Sequence, residues 1–357
     1  MSQAHGPTAS GPSRPLAIDL FSGCGGLTLG LKQAGFDVVG AVELNDLAVE
    51  TYRRNHRKVK LWHGDIRKLP PRRVLLSLGL KSGQLDLLAG CPPCQGFSAL
   101  RTLNGRTRVR DRRNDLVFQF IRFAKILEPK TLMMENVPRL AGNRRFRELC
   151  DRLTKLGYVC SHRILDAARF GVPQRRKRLI LLASRTRDIP FAKPTTQSRT
   201  VRQTIGQLPK PNASKDKLHS ATEKHSPNVV KLIRLIPKNG GSRTDLPRRL
   251  QLKCHRSCTG FKDVYGRMAF DEVAPTITSG CVNPSKGRFL HPTQNRAITL
   301  REAALLQGFP RHYFFSLTKG KFAVAEMIGN ALPPEFIRRH ARVIRKHLLF
   351  PKAPGAA

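Results

Sequence analysis

Acidic residues are scarce in this chain: 24 Asp and Glu stand against 65 Lys and Arg, a formal net charge of +41 over 357 residues. So one-sided a shortage excludes the mixed surface of an ordinary globular protein and points to a polyanionic partner, most simply nucleic acid. Long apolar runs are lacking too, since none reaches the roughly 20 residues that span a bilayer. There is no lipidation motif and no basic amphipathic helix with an aromatic face, so an anionic membrane is the weaker partner. The first fourteen residues are rich in Gly, Pro and Ser, and the apolar stretch after them carries Asp19 and several glycines. Neither reads as a signal peptide. The eight cysteines lack the regular spacing of a disulfide framework, which fits a reducing cytoplasm. No internal repeat stands out.

What is present is an alternation of strands and helices in the first half, the pattern of a parallel sheet covered by helices. Strands are predicted at Leu16 to Phe21, Val38 to Leu44, Lys60 to His63, Leu85 to Ala89, Thr131 to Met134 and Leu179 to Ala183. Helices are predicted at Leu27 to Ala34, Leu47 to Asn55, Asp115 to Leu127 and Arg145 to Leu156. The fold class is therefore α/β, a doubly wound, mostly parallel sheet. From about Ser184 the rhythm is lost to scattered Pro, Gly, Lys and Arg. Phe261, Tyr265, Met268, Phe270 and Ile277 still give that stretch some core. The expected organisation is a disordered leader (1–14), a catalytic domain (15–184), a smaller irregular domain (185–291), a segment completing the first domain (292–350) and a tail (351–357). Helices at Leu300 to Gln307, Ala323 to Ile328 and Phe336 to Leu348 belong to the completing segment.

The stretch that organises the chain is Gly90-Cys91-Pro92-Pro93-Cys94-Gln95-Gly96-Phe97-Ser98. It follows a buried strand, at the sheet edge where open α/β sheets keep their chemistry. Two prolines fix the backbone before Cys94 and Gly96 frees it after, so the thiol is placed as a nucleophile would be. Cys91 and Cys94 could also be half of a zinc site completed by Cys254 and Cys258, a redox pair, or buried structural cysteines. The irregular second pair and the missing thioredoxin context weigh against the first two. The surrounding residues weigh against the third.

Asp19-Leu20-Phe21-Ser22-Gly23-Cys24-Gly25-Gly26 joins the first strand to the first helix. Glycines there let a ligand approach the backbone, and Glu43, at the end of the next strand, is placed to accept from ribose hydroxyls. Asp65, after the third strand, can read an adenine amino group. Together they suggest an adenosine-containing cofactor. Glu135-Asn136-Val137 ends the fifth strand, on the same sheet edge as Cys94, where a carboxylate in a partly dry pocket can donate a proton. Gln174, Arg176 and Arg178 alternate into another strand and would share a face suited to an oxygen-rich or anionic group.

These motifs, in this order and with Gly64-Asp65-Ile66, Pro93-Cys94-Gln95 and Gly329-Asn330, resemble the cytosine-carbon-5 DNA methyltransferase family from about Leu16 to Leu348. The resemblance implies a Rossmann-like methyltransferase fold, S-adenosylmethionine as methyl donor, and no metal. Phe21, with Asp19, Gly23 and Gly25 of its turn, Glu43, Asp65, Ile66, Pro93, Leu116 and Asn330 would form the cofactor pocket. Cys94, Glu135 and Arg176 would carry the chemistry on a flipped-out cytosine. Gln95, Ser98, Arg113, Gln174, Arg178 and Thr276 would contact the substrate, with Arg101 to Arg113 as a mobile catalytic loop. Segment 185–291 stands where the family has its target recognition domain, and Thr276-Ile277 matches the usual Thr-hydrophobic pair of that domain.

The implied partner is duplex DNA, bound by a monomer in a bacterial cytoplasm, associated with the nucleoid through DNA, in a restriction-modification system with a companion restriction endonuclease. Two alternatives are kept. One is the tRNA-methylating branch, whose signature Cys258-Thr259 faintly resembles, although the Phe that should separate them is absent. The other is a nucleic-acid-binding module without turnover.

Overall fold

A computed structural model describes residues 14–93, 115–222, 225–256, 260 and 262–350. Seven strands form one sheet: β1 (Leu16–Leu20), β2 (Asp37–Glu43), β3 (Lys60–His63), β4 (Leu87–Gly90), β5 (Thr131–Asn136), β6 (Val159–Asp166) and β7 (Lys177–Ser184). Their spatial order is β3-β2-β1-β4-β5-β7-β6. The first five are parallel, and β7 runs antiparallel to both β5 and β6. The doubly wound, mostly parallel sheet expected from the sequence is present. Its switch point lies between β1 and β4, where strand order reverses and such sheets open a crevice.

Helices cover both faces. They are α1 (Gly26–Gln33), α2 (Asp46–Asn55), α3 (Pro71–Leu78), α4 (Val117–Leu127) and α5 (Arg144–Lys155). Their ends follow local chemistry: Asn45 caps α2 by accepting from Ala48 N at 3.0 Å, and Pro71 opens α3 while Gly79 closes it at φ 65°. Because strand side chains alternate, β1 sends Ile18 and Leu20 into one apolar layer with α4 and α5. It sends Ala17 into the other, with Leu27 and Leu31 of α1. Helix α3 and strand β6 were not expected. Strand β6 sits at the sheet edge, and in its Val-Cys-Ser-His-Arg-Ile-Leu-Asp sequence only Cys160, Ser161, Leu165 and Asp166 are even half-buried, so no apolar alternation marks it.

Among the described residues, segment 185–291 has only short α-helices, α6 (Val201–Ile205), α7 (Lys217–Ser220) and α8 (Pro227–Leu235). Of its expected core, Tyr265 joins Leu232, Ile233, Ile236, Leu246 and Leu290. Met268, Phe270 and Ile277 join a cluster shared with the following helices, and Phe261 lies outside the described residues. At the centre is Arg267, which has no exposed surface. It donates to the carbonyls of Ile236, His291, Gln294 and Ile233 and to Asn295 Oδ1. Helices α9 (Leu300–Leu306), α10 (Gly320–Asn330) and α11 (Pro334–Leu349) follow. Helix α11 returns to the sheet, its Phe336, Ile337, Ala341 and Ile344 filling the layer beneath α1.

Candidate active site

The turn after β1 is built from backbone that ordinary residues avoid. Phe21 lies at φ 60°, Gly23 at 54° and Gly25 at 95°. A Cβ on Gly25 would come within 2.4 Å of His56 Nε2, so only glycine fits there. The Gly23 N–H donates to Glu43 Oε2 at 2.7 Å, and Glu43 Oε1 accepts from Leu44 N and Asn45 N. The acid expected at the end of β2 therefore fastens the turn through the Gly23 N–H, and is itself held by the main-chain N–H groups of Leu44 and Asn45.

From beneath, Tyr313 donates to Cys24 O at 2.6 Å. His56 Nε2 lies 3.2 Å from Gly25 O and 3.0 Å from the Tyr313 hydroxyl, which assigns its proton to Nε2. Burial holds His56 neutral, its pKa down at about 3. Asp19 is fully buried. Its Oδ2 accepts from Thr28 Oγ1 at 2.7 Å, and Thr28 Oγ1 is 2.8 Å from the Tyr52 hydroxyl. Oδ1 has no partner. Burial, with Glu43 adding to it, pushes the Asp19 carboxyl up to about 7.

The other predicted cofactor residues line the same edge. Asp65 caps the turn after β3 by accepting from Arg67 N at 2.9 Å. Hydrogen bonds from the Arg67 side chain hold its carboxyl below the usual range. Ile66 beside it is buried, half-buried Leu116 precedes α4, and Asn330 ends α10 with its surface exposed.

The end of β4 is tied to the end of β5. Asn136 Nδ2 donates to Pro92 O at 3.0 Å, and Cys91 Sγ donates to Glu135 Oε2 at 2.9 Å. Pro93 is the last residue described before the thiol stretch. Cys94, Gln95, Ser98 and Arg113 lie outside the described residues. Glu135 is 2 % exposed. Arg178 Nε stands 2.8 Å from its Oε1, at an angle that leaves this oxygen without a hydrogen bond.

Gln174, Arg176 and Arg178 do not share a strand face, because β7 begins only at Lys177. Only Arg178 meets Glu135. Arg176 donates instead to Ile277 O, Gly329 O and Ala331 O at 3.0, 2.9 and 3.2 Å. Burial, aided by the Arg178 charge and opposed by Glu135 and Cys91, pulls its pKa down to about 9. Gln174, fully buried, accepts from Ile277 N at 3.0 Å and donates to Leu306 O and the Gln307 side chain, while Gln307 donates to Ala331 O. Thr276 donates to Arg175 O at 2.6 Å. These residues close a joint between segment 185–291 and the ends of α9 and α10. Gly329 sits inside it, where a Cβ would fall 2.2 Å from the Thr278 carbonyl carbon.

Sequence reasoning passed over Gln307, His56 and Tyr313, which carry no motif of their own. It read Cys91 only as a partner for Cys94, and the spacing that could have placed Arg178 opposite Glu135 required knowing that β7 turns antiparallel.

Residues 16–346 match the family of C-5 cytosine-specific DNA methylases. The chain belongs to this family. It is 37% identical over 346 residues to the Type II methylase M.HgiDII of Herpetosiphon aurantiacus, covering 93% of this chain and 95% of that protein. With the Type II methyltransferase M1.HphI of Haemophilus parahaemolyticus it shares 36% identity over 338 residues, 92% of this chain and 86% of the other. A solved chain encoded within an E. coli prophage superposes with a TM-score of 0.73 at 23% identity, covering 94% of this chain and all of that one. That likeness concerns the fold. The glycine turn after β1, the end of β4 at Cys91-Pro92 and Glu135 lie at one sheet edge of this family member.

Proposed function

We propose that this C-5 cytosine-specific DNA methylase transfers a methyl group from S-adenosylmethionine to carbon 5 of cytosine in duplex DNA. The observation that carries the reading is the meeting of Glu135, Arg178 and Cys91 beside the Pro92-Pro93 corner that leads directly into Cys94. The residues present fit the donor. The left-handed turn from Phe21 to Gly25 leaves room for close backbone approach, Glu43 and Asp65 are held on either side, and Asp19 keeps a buried, unpartnered oxygen beneath it. Bound there, S-adenosylmethionine supplies an electrophilic methyl on sulfonium sulfur.

Carbon 5 of cytosine is a poor nucleophile. The Cys94 thiolate adds to carbon 6, so the ring's electron pair becomes available at carbon 5. Glu135 steadies the adduct by hydrogen bonding at ring nitrogen 3 and the amino group, which must be reached by flipping the base out of the stack. Arg178, with its guanidinium against Glu135, is the arginine placed to hold the ring oxygen. Arg176, spent on three carbonyls, positions the edge on which the others stand. After methylation, loss of the carbon 5 proton to a base and expulsion of the Cys94 thiolate restore the ring. Segment 185–291 is the target recognition domain in this reading, and the Type II names of the relatives suggest a restriction-modification setting with a companion endonuclease.

The test is transfer of labelled methyl to duplex DNA of mixed sequence, followed by conversion sequencing. Modified cytosines in one short recurring context are expected. Transfer to tRNA in place of DNA would sink the assignment.

A further inference from the structure

Glu135 stands between two neighbours on one face of the sheet. The parallel register sets Gly90 opposite Met134, so the next positions along, Cys91 and Glu135, lie side by side and point the same way. On the other flank the antiparallel register sets Glu135 opposite Ile180, and Arg178 shares the face of Ile180 because strand side chains alternate. The backbone around Cys91 is held at two points. Its N–H donates to Leu20 O at 3.2 Å, and Pro92 O accepts from Asn136 Nδ2 at 3.0 Å. The thiol is therefore delivered to the carboxylate by main chain that has little freedom to move.

The two neighbours act differently. Arg178 Nε stands 2.8 Å from Glu135 Oε1 without a hydrogen bond to it, and Arg178 Nη1 donates to Lys177 O at 2.7 Å. Its charge attracts the carboxylate, but attraction at that angle does not fix the carboxylate plane. The Cys91 thiol donates to Oε2 at 2.9 Å, and among the described residues this is the one hydrogen bond that the Glu135 side chain receives. Glu135 is too buried for bulk water to orient it instead. A thiol is a weak donor. It can set the plane of the carboxylate and still give way to a stronger donor on a cytosine ring.

We propose that Cys91 is a positioning residue for the methyl transfer: its thiol holds the Glu135 carboxylate in the orientation that meets the flipped-out base, and it surrenders Oε2 to the amino group when the base arrives. The inference rests on cytosine being the substrate of this site. It gives Cys91 a role independent of any pairing with Cys94.

The experiment measures steady-state and single-turnover methyl transfer to duplex DNA carrying the methylated context. It uses the native chain, Cys91→Ala, Cys91→Ser, and Cys91→Ala in a Glu135→Ala background. Cys91→Ala should lower kcat about tenfold, the size expected for one hydrogen bond to a charged group, with KM for DNA and for S-adenosylmethionine unchanged. Cys91→Ser, whose hydroxyl can donate the same bond, should keep kcat within about twofold of the native value. In the Glu135→Ala background the loss of the thiol should cost nothing further, because its acceptor is already gone. Cys91→Ala at the native kcat would overturn the proposal, as would Cys91→Ser as slow as Cys91→Ala. An undiminished loss in the Glu135→Ala background would also overturn it, marking Cys91 as a packing residue of the β4 end. Methyl transfer by the native chain in any of these cases leaves the cytosine reading standing. No transfer by the native chain to any duplex would overturn that reading and the role of Cys91 with it.

Discussion

The sheet and segment 185–291 bury their centres by opposite means. In the sheet, Leu87, Leu88, Leu132, Met133 and Leu181 are fully buried and sort themselves into two apolar layers. In the segment, the largest fully buried side chain is Arg267, whose five donors answer four main-chain carbonyls and one side-chain oxygen. A layer of apolar residues tolerates change in small steps. A saturated guanidinium is all or nothing, since removing it strands every acceptor it served. The sheet is thereby suited to hold chemistry that stays the same, and the segment to keep a loop-rich surface in one shape with little apolar material.

The sharpest way to test that division is to remove chemistry from the sheet without touching the segment. Glu135→Gln keeps the shape of the β5 end but loses the carboxylate, and turnover should fall by about 100- to 10,000-fold on every duplex, with DNA affinity kept. Single-turnover methyl transfer against equilibrium binding reads the two apart. A loss of binding in step with turnover would mean that Glu135 serves the interface as much as the reaction.

Next in size is the converse. Arg267→Met fills much of the same volume but orphans the carbonyls of Ile233, Ile236, His291 and Gln294, so the segment should lose about 3 to 5 kcal/mol. Hydrogen exchange resolves where the loss falls: amides of 227–295 should lose protection while β1, β4 and β5 keep theirs. Uniform loss through the sheet would break the comparison, because it would make the two regions one cooperative unit.

The joint between them should respond more mildly. Gly329→Ala places a methyl against the Thr278 carbonyl, and the overpacking should cost about 1 to 3 kcal/mol. Because Asn330 follows directly and Arg176 grips Gly329 O, the variant should also show a raised KM for S-adenosylmethionine at little cost in kcat. An unchanged KM would show that the cofactor edge is independent of the joint.

The same division governs what was legible beforehand. The five parallel strands and the turn after β1 were readable because apolar runs alternating with amphipathic helices announce buried parallel strands. Glu43 was readable because its place at the end of β2 follows from that pattern. Strand β6 was not, since an edge strand facing water needs no apolar alternation. Arg176 and Arg178 could not be told apart from sequence, because which one faces Glu135 depends on where β7 begins and on its antiparallel pairing with β5. Arg267 and Gln307 were invisible for a deeper reason. Their partners are main-chain carbonyls, and a carbonyl has no residue type to recognise.

The finest test uses pH and takes from each region one buried titratable group, the two shifted in opposite directions. The Asp19 carboxyl is raised by burial from the ordinary value to about 7, so its stabilising contribution is full below about pH 4 and is lost as pH rises toward 7. His291 is lowered by burial to about 4, because its Nδ1 accepts from Thr293 N and Gln294 N and must stay unprotonated. Its contribution is full above about pH 6.5 and is lost as pH falls toward 4. Each group can contribute a slope of at most about 1.4 kcal/mol per pH unit. Between pH 4 and 6.5 the two should therefore oppose each other in the native protein and separate in variants. Relative to the native chain, Asp19→Asn should gain stability as pH rises, and His291→Asn should gain it as pH falls. Urea midpoints measured across this window decide the matter: a gain in the same pH direction in both variants would mean that one of the two groups is not buried in the state the geometry assigns to it.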